Sequence, residues 1–457
     1  MPYLQKIFLR LPYFLRQAAI DLNGRWQRDS RYSAGFKWAL RRAEERADWP
    51  SWRLQDYAAR RLSEHLKLAR HSPFWAELFQ ERCVNPEASD PFAELAKFPV
   101  LSKETVRANL GRIASPLFRK SELLSVSTSG TTGSGMTFPE TKESEWERWA
   151  TWWRYRRRLG IGLDKTCALF GGRPIVPIHC EEGPFWHRRA GINQVLFSSY
   201  HVNACNVRAY VDEIRRSGAG WIHGYPSTIA LLASLMTEAS IPPPECVQII
   251  TTGAENLTDA MRSKIAKAFG VPVRQHYCLA ESTANFSEDP TACMHVDEDF
   301  SCVELPQMGD IRSIIGTNWH NPAFPLFRYD SGDICNAEST TPTFPEYTGQ
   351  RTIQGVDGRL EDNLLMSDGT RIGRLDQIFK SADRIRMAQI LQTNPGFAEF
   401  KIVRGYGYGK SDEAKLRSEI ENHIGGKCRF EIVYVDDLPR TARGKLRAVV
   451  SRTPPSP

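Results

Sequence analysis

The chain has 457 residues, 41% hydrophobic and 25% charged. These are globular proportions, which exclude global disorder and collagen-like repeats and predict about two to four domains. The net charge is +7, and residues 1–80 carry 15 Lys+Arg against 8 Asp+Glu, so the basic surplus lies wholly in that segment. A nucleic-acid protein spreads basic residues along a binding face, which argues against that class.

Residues 1–100 read as a helical leading segment. Trp52, Leu54, Tyr57, Leu62, Leu66 and Leu68 recur at helical spacing among charged residues. Its basic, aromatic-rich character suits peripheral contact with a membrane or an acidic partner through residues 1–80; a solvated helical face is the plainer reading. Arginines interrupt the first apolar residues and no small-residue cleavage site follows, so no signal peptide is expected. No apolar run reaches the roughly 18 residues of a membrane span. Ten cysteines without a C-x-x-C pair point to the reducing cytoplasm rather than to a disulfide framework. After Pro99, Ser102 is placed to cap a short helix.

Beyond residue 120, short apolar runs alternate with amphipathic stretches. The runs 167–170, 220–222, 247–251 and 271–275 predict strands, and 207–216, 227–239 and 258–269 predict helices. This alternation argues for a layered α/β domain with largely parallel strands. The runs 302–305, 311–315 and 334–335 read as hairpin strands. Gly355, Asp357 and Gly358 mark a boundary, after which 389–392, 400–404 and 429–435 predict strands and 412–424 a helix. The expected organisation is a large domain, with 1–100 leading into 101–357, followed by a small α+β domain over 358–457.

Residues 127–137 hold seven Ser/Thr and three Gly. Small residues let a backbone approach a polyanion, and hydroxyls and N–H groups donate to phosphate oxygens. Gly130 and Gly135 have Walker A spacing, but Met136 stands where that loop requires lysine. The segment therefore reads as a phosphate loop of another class.

TSGTTGSG (128–135) resembles the phosphate loop of the adenylate-forming enzymes. Further motifs follow in that family's order: TTGAE (251–255), HYCLAES (276–282), RYDSGD (328–333), GRLEDNLLMSDGTRI (358–372) and LPRTARGKLRAVV (438–450). The leading segment resembles phenylacetate–CoA ligase relatives. The likeness narrows to the CapK-type family associated with capsular polysaccharide synthesis, on GTRIGRLDQIFK and the P-R-T-x-x-G-K ending. The implied fold is a large adenylate-forming α/β domain with a small mobile C-terminal lid. The implied reaction is ATP-dependent activation of a small-molecule carboxylic acid with release of pyrophosphate, then transfer of the acyl group to a thiol such as CoA, an amine or a hydroxyl with release of AMP.

The resemblance also assigns roles. Ser129, Gly130, Thr131, Thr132 and Gly133 would hold phosphates, with Thr132 catalytic. Gly253, Ala254 and Glu255 would line the adenine, and Tyr277 would stack on it. Glu281 would hold Mg²⁺, Asp333 would accept the ribose hydroxyls, and Arg359 would contact ribose or phosphate. Glu361 occupies the hinge. Lys445 would meet the charge developing between the α-phosphate and leaving pyrophosphate. Cys278 and Ala280 depart from the family's usual Gly and Ser/Thr, which removes one hydroxyl contact. Trp146, Trp149, Trp152 and Trp153 share one helical face as core packing; the sharper reading puts Trp146 or Trp149, with Tyr225 of HGYPS, at an acyl pocket. Cys293 and His295 keep the first pair of a zinc pattern found in some relatives. EYTGQR (346–351) lacks its second pair, and with Cys302 and Cys335 as the only substitutes, zinc is not expected. Two other readings stay open: a polysaccharide-assembly scaffold that binds ATP with little turnover, and a kinase-like transferase that would yield ADP.

Overall fold

The computed structural model describes residues 2–128, 135–308, 311–338, 340–346, 351–359, 364–368, 370–372, 375–379, 384–424, 426, 428–441 and 444–451. The chain forms two compact units. One comprises Met1–Trp26, Leu163–Gln275 and Gly358–Pro457; the other comprises Gln27–Gly162 and His276–Asp357.

In the first unit, Cys167–Gly171 lies between Gln194–Ser198 and Trp221–Gly224, and Ile249–Gly253 follows Trp221–Gly224, all in parallel. The strand Val273–Cys278, which belongs to this unit through Gln275, continues the sheet beyond Ile249–Gly253. Trp186–Arg189 closes the opposite edge in antiparallel sense. Helices Val207–Ser217, Pro226–Glu238 and Asp259–Phe269 connect successive parallel strands. These are the elements that the alternation of apolar runs predicts, shifted by a few residues. Their ends are set by local chemistry: Gly218 leaves the first helix in the left-handed conformation, and the Thr258 side chain accepts the Met261 N–H at the start of the third. Helix Pro226–Glu238 is buried from Pro226 through Met236, as befits a helix apolar on every side.

The C-terminal part of this unit carries its own core of Ile390, Phe400, Ile402, Leu416 and Ile420. Its sheet runs in the order Arg429–Tyr434, Phe397–Arg404, Ile385–Asn394, Val449–Ser451, packed by helix Lys410–Ile424. Met387, Val403 and Leu438 join the core of the parallel sheet. Arg386 pairs with Glu238, and Lys264 Nζ donates to the Ile385 carbonyl at 2.7 Å. The C-terminal part is therefore seated on helices Pro226–Glu238 and Asp259–Phe269.

The second unit begins with helices, as expected of residues up to 100, including Ala34–Ala47, Ser51–Ala69 and Pro73–Glu81. Trp75, Phe98 and Phe327 pack edge-to-face and stacked at its centre. Ser102 does cap the helix Lys103–Ala108, accepting the Thr105 N–H. Ser301–Glu304, Ile311–Asn318 and Tyr329–Asn336 form the antiparallel sheet expected of hairpin strands.

Candidate active site

Leu124–Ser127 pairs antiparallel with Thr137–Glu140, and Thr128 closes the end of this hairpin by bonding Met136 through both backbone and hydroxyl. The Ser/Thr/Gly loop thus has a strand on either side, with helix Lys142–Arg158 following the second. Ser129, Gly130, Thr131, Thr132 and Gly133 themselves lie outside the described residues, as does Glu361. Arg359 ends the strand Gly355–Arg359.

Within the first unit, three parallel strands end at Gly171, Gly224 and Gly253. The carboxyl ends of parallel strands are where open α/β sheets place ligands. Ala254 adopts a left-handed conformation (φ 65°), which turns the chain sharply after the strand. The loop carrying Lys445 lies over these ends. Lys445 Nζ donates to the Ala254 carbonyl at 2.7 Å and stands 5.7 Å from the centre of the Tyr225 ring. The Lys445 N–H and carbonyl both bond Thr441, so the loop is a closed turn. Gly444 (φ 75°) lets that turn pass close to Tyr200 and Gly172.

Glu255 fastens the loop in place. Its carboxylate accepts the Leu446 N–H at 3.1 Å and the Ser227 N–H at 3.2 Å, the latter in the first turn of helix Pro226–Glu238. Burial pushes its carboxyl above the usual carboxylate range against the opposing pull of Ser227, Arg440 and Lys445. Arg440 reaches Thr228 Oγ1 at 3.3 Å from the same loop. Sequence reasoning had placed Glu255 at the adenine and had not foreseen this clasp; a backbone N–H partner leaves no mark in a sequence.

Within the second unit, the Tyr277 hydroxyl donates to Asp333 Oδ2 at 2.8 Å, although the two are 56 positions apart. Burial, followed by the Asp333 carboxylate, holds the phenol well above its ordinary range. The Tyr277 ring stacks on Phe286 at 5.0 Å. Gly332 (φ 71°) makes the turn that sets Asp333, whose N–H bonds Ser331 Oγ at 3.0 Å. Glu281 is 5% exposed; its Oε1 accepts the Tyr329 hydroxyl at 3.3 Å and its carbonyl accepts Asn318 Nδ2. Burial pushes its carboxyl above the usual carboxylate range, with Lys103 and Tyr329 among the groups pulling it back down. Tyr329 lies inside the RYDSGD motif, yet its contact with Glu281 was not legible there. Cys278, one of the departures from the family pattern, is half-buried, and desolvation pushes its thiol up to about 12.

The remaining candidates fall elsewhere. Trp146 packs its six-membered ring against Gly35, where an added Cβ would lie 2.2 Å away. Trp149 stacks under the Arg31 guanidinium at 4.1 Å and meets Tyr32 edge-on. Both indoles therefore pack against the leading helices. His295 bonds Asp289 Oδ2 at 3.1 Å, and the Cys293 N–H bonds the other oxygen of that carboxylate. Cys302 and Cys335 are buried, and burial raises both thiols, disfavouring the thiolate that a metal requires. Among the described residues no three His, Cys, Asp or Glu side chains are grouped to hold a metal ion. Nor is any described helix long and apolar enough to cross a membrane.

Residues 364–452 match the family model of the CapK C-terminal domain. Over 453 residues the chain is 23% identical to Protein CapK of Staphylococcus aureus, covering 98% of this chain and 99% of that protein. Among solved structures it is similar to 2-hydroxyisobutyryl-CoA ligase in the postadenylation state with R3-HIB-AMP, at a TM-score of 0.66 and 15% identity over 86% of this chain and 88% of that one. The same ligase with 2-HIB-AMP and CoA in its thioesterification state gives a TM-score of 0.52 at 16% identity, over 88% and 90% of the two chains. The chain thus has the fold of these CoA ligases, a large α/β domain followed by a small one, and the match to the CapK C-terminal domain model falls in the small one.

Proposed function

We propose that the protein is an ATP-dependent ligase that activates a carboxylic acid as its adenylate and passes the acyl group to a nucleophile. In the first step a carboxylate oxygen attacks the α-phosphorus and pyrophosphate leaves. In the second, a thiol, amine or hydroxyl attacks the acyl carbon and AMP leaves with the bridging oxygen. The observation that carries this reading is the seating of Lys445 at the carboxyl ends of the parallel strands, on the Ala254 carbonyl and beside Tyr225. An ammonium held there by a closed turn needs little reorganisation to meet charge building on a leaving pyrophosphate.

Two further arrangements support it. Tyr277 and Asp333 form one bonded unit that offers a ring face and a carboxylate acceptor, suited to a base and a ribose diol. Glu281, a buried carboxylate, fits a single protein ligand for Mg²⁺, an ion that takes few carboxylates and completes its shell with phosphate oxygens and water. When bound, that ion would neutralise phosphate charge. The Ser129–Gly133 loop would hold the β- and γ-phosphates, Thr132 among them. Arg359 and Glu361 would serve as ribose contact and hinge for a small domain that reorients between the steps. The 2-hydroxyisobutyryl-CoA ligase structures, with acyl-AMP in one and CoA in another, make a CoA thioester one product class to test.

The test is pyrophosphate release by purified protein with ATP, Mg²⁺ and a panel of aryl, fatty and amino acids, with and without CoA. Release that depends on one acid supports the ligase. A panel that gives none while ATP still binds transfers the case to the scaffold.

A further inference from the structure

Helix Tyr13–Arg31 is inverted over the residues that belong to the first unit. Three of its polar side chains reach inward. Gln17 Nε2 donates to the Arg188 carbonyl at 2.7 Å, Asp21 accepts the Ala190 N–H at 3.2 Å, and the Tyr13 hydroxyl donates to the Trp186 carbonyl at 3.2 Å. Together they cover the edge strand Trp186–Arg189, whose unpaired backbone groups would otherwise invite another strand. Gly24 allows the close approach: a Cβ there would lie 2.6 Å from the Arg189 side chain, and one on Gly191 would strike the helix backbone at 2.5 Å.

Most apolar side chains of this helix, and Leu4 and Ile7 of the preceding helix Pro2–Arg10, are left outside. Leu4, Phe14, Leu22 and Trp26 are 69, 68, 65 and 61% exposed, with Ile7 and Leu15 also exposed. At 3.6 residues per turn, Phe14, Leu15, Ala18, Leu22 and Trp26 occupy about a third of the helix circumference, opposite the buried Ile20 and Gly24. Arg25, within the arc of this stripe, and Lys6 and Arg10 of helix Pro2–Arg10 are also exposed. Asp21 is the lone acid in residues 4–26, and it is bonded inward.

We propose that this stripe, on Leu4, Ile7, Phe14, Leu15, Leu22 and Trp26 with its rim of Lys6, Arg10 and Arg25, seats the protein on a bilayer surface carrying anionic headgroups. Exposed apolar residues with flanking cations on a helix lying against a folded body match the interfacial region, where acyl chains take the apolar face and headgroups take the charge. Charge decides against a second copy of the chain. A two-fold contact through this face would set its three cations against the same three cations of the partner. The inference stands apart from the proposed reaction.

The test is co-sedimentation of the full chain with phosphatidylcholine vesicles, alone or with roughly one third phosphatidylglycerol. The anionic vesicles should carry the protein down at low salt, and the neutral ones should not. Each cation near an anionic surface is worth about 1 kcal/mol, or about fivefold, so Lys6→Ser, Arg10→Ser and Arg25→Ser together should weaken binding about a hundredfold. Leu22→Glu with Trp26→Glu should abolish it while thermal unfolding stays unchanged, since both side chains are exposed. Failure to sediment with anionic vesicles, or binding that neither set of substitutions weakens, would overturn the proposal. So would a dimer in solution that Leu22→Glu dissolves while vesicles go unbound.

Discussion

Replacing Lys445 with alanine separates a chemical role from a structural one. In the folded chain its ammonium donates a 2.7 Å bond to the Ala254 carbonyl from a half-buried turn. A net hydrogen bond is worth about 0.5–1.5 kcal/mol, so the direct loss of stability should be of that size. The turn keeps its other fastenings: Thr441 to the residue-445 backbone, Glu255 to the Leu446 N–H, and Arg440 to Thr228. Removing one preorganised charge from a developing anion instead costs about 10²–10³-fold in rate. Lys445→Ala should therefore slow acid-dependent pyrophosphate release by about that factor while its unfolding midpoint barely moves. Acyl transfer from a supplied acyl-adenylate, in which no pyrophosphate leaves, should be far less affected. Lys445→Arg should not restore the first step, because a planar fork does not replace a compact ammonium. Near-normal pyrophosphate release, or a loss of activity that simply follows loss of folding, would refute the reasoning.

Three other outcomes follow from the geometry. Burial holds the Glu281 carboxyl above the usual carboxylate range, so its ionisation near neutral pH costs the folded state more than the unfolded one. That cost appears as pH rises, so Glu281→Gln should raise the neutral-pH melting temperature while abolishing Mg²⁺-dependent turnover; a melting temperature that falls would contradict the burial argument. His65 and His276 are held neutral by burial, each lowered from 6.5 to about 3, so their stabilisation is present above 6.5 and lost as pH falls. Each contributes about 1.4 kcal/mol per pH unit below that value, and denaturant titrations between pH 6 and 4 should show roughly twice that slope unless the pair is already charged in the folded state. Gly35→Ala places a methyl within 2.2–2.5 Å of the Trp146 ring and should destabilise by about 1–3 kcal/mol, with Trp146→Leu relieving it in a double-mutant cycle; strict additivity would remove Trp146 from that contact.

The parallel strands and their helices were legible because each buries an apolar run bounded by residues with one local meaning, such as Gly218 and Thr258. The second strand of the hairpin, Thr137–Glu140, was not: it is four residues long, contains Pro139, and is fixed by pairing with Leu124–Ser127. The tryptophan face of Lys142–Arg158 could be read from spacing, but not its partner, since Gly35 carries no sign that an indole rests on it. At the site, order along the chain pointed to Tyr277, Asp333 and Lys445. The bonds that fix them run from Tyr277 to Asp333, from Tyr329 to Glu281, and from Glu255 to two backbone N–H groups. Such partners are distant in sequence or belong to the main chain, where residue type is silent. The inverted helix Tyr13–Arg31 escaped for a related reason: its pattern is amphipathic whichever face is inward, and only the edge strand decides.

The most direct test of the proposed chemistry follows an oxygen atom. A carboxylic acid that supports turnover is labelled with heavy oxygen in its carboxyl group, and the nucleotide product is weighed by mass spectrometry. Attack by the carboxylate on the α-phosphorus predicts AMP carrying one labelled oxygen, alongside pyrophosphate and the acylated nucleophile. ADP as the product, or AMP without the label, would contradict it.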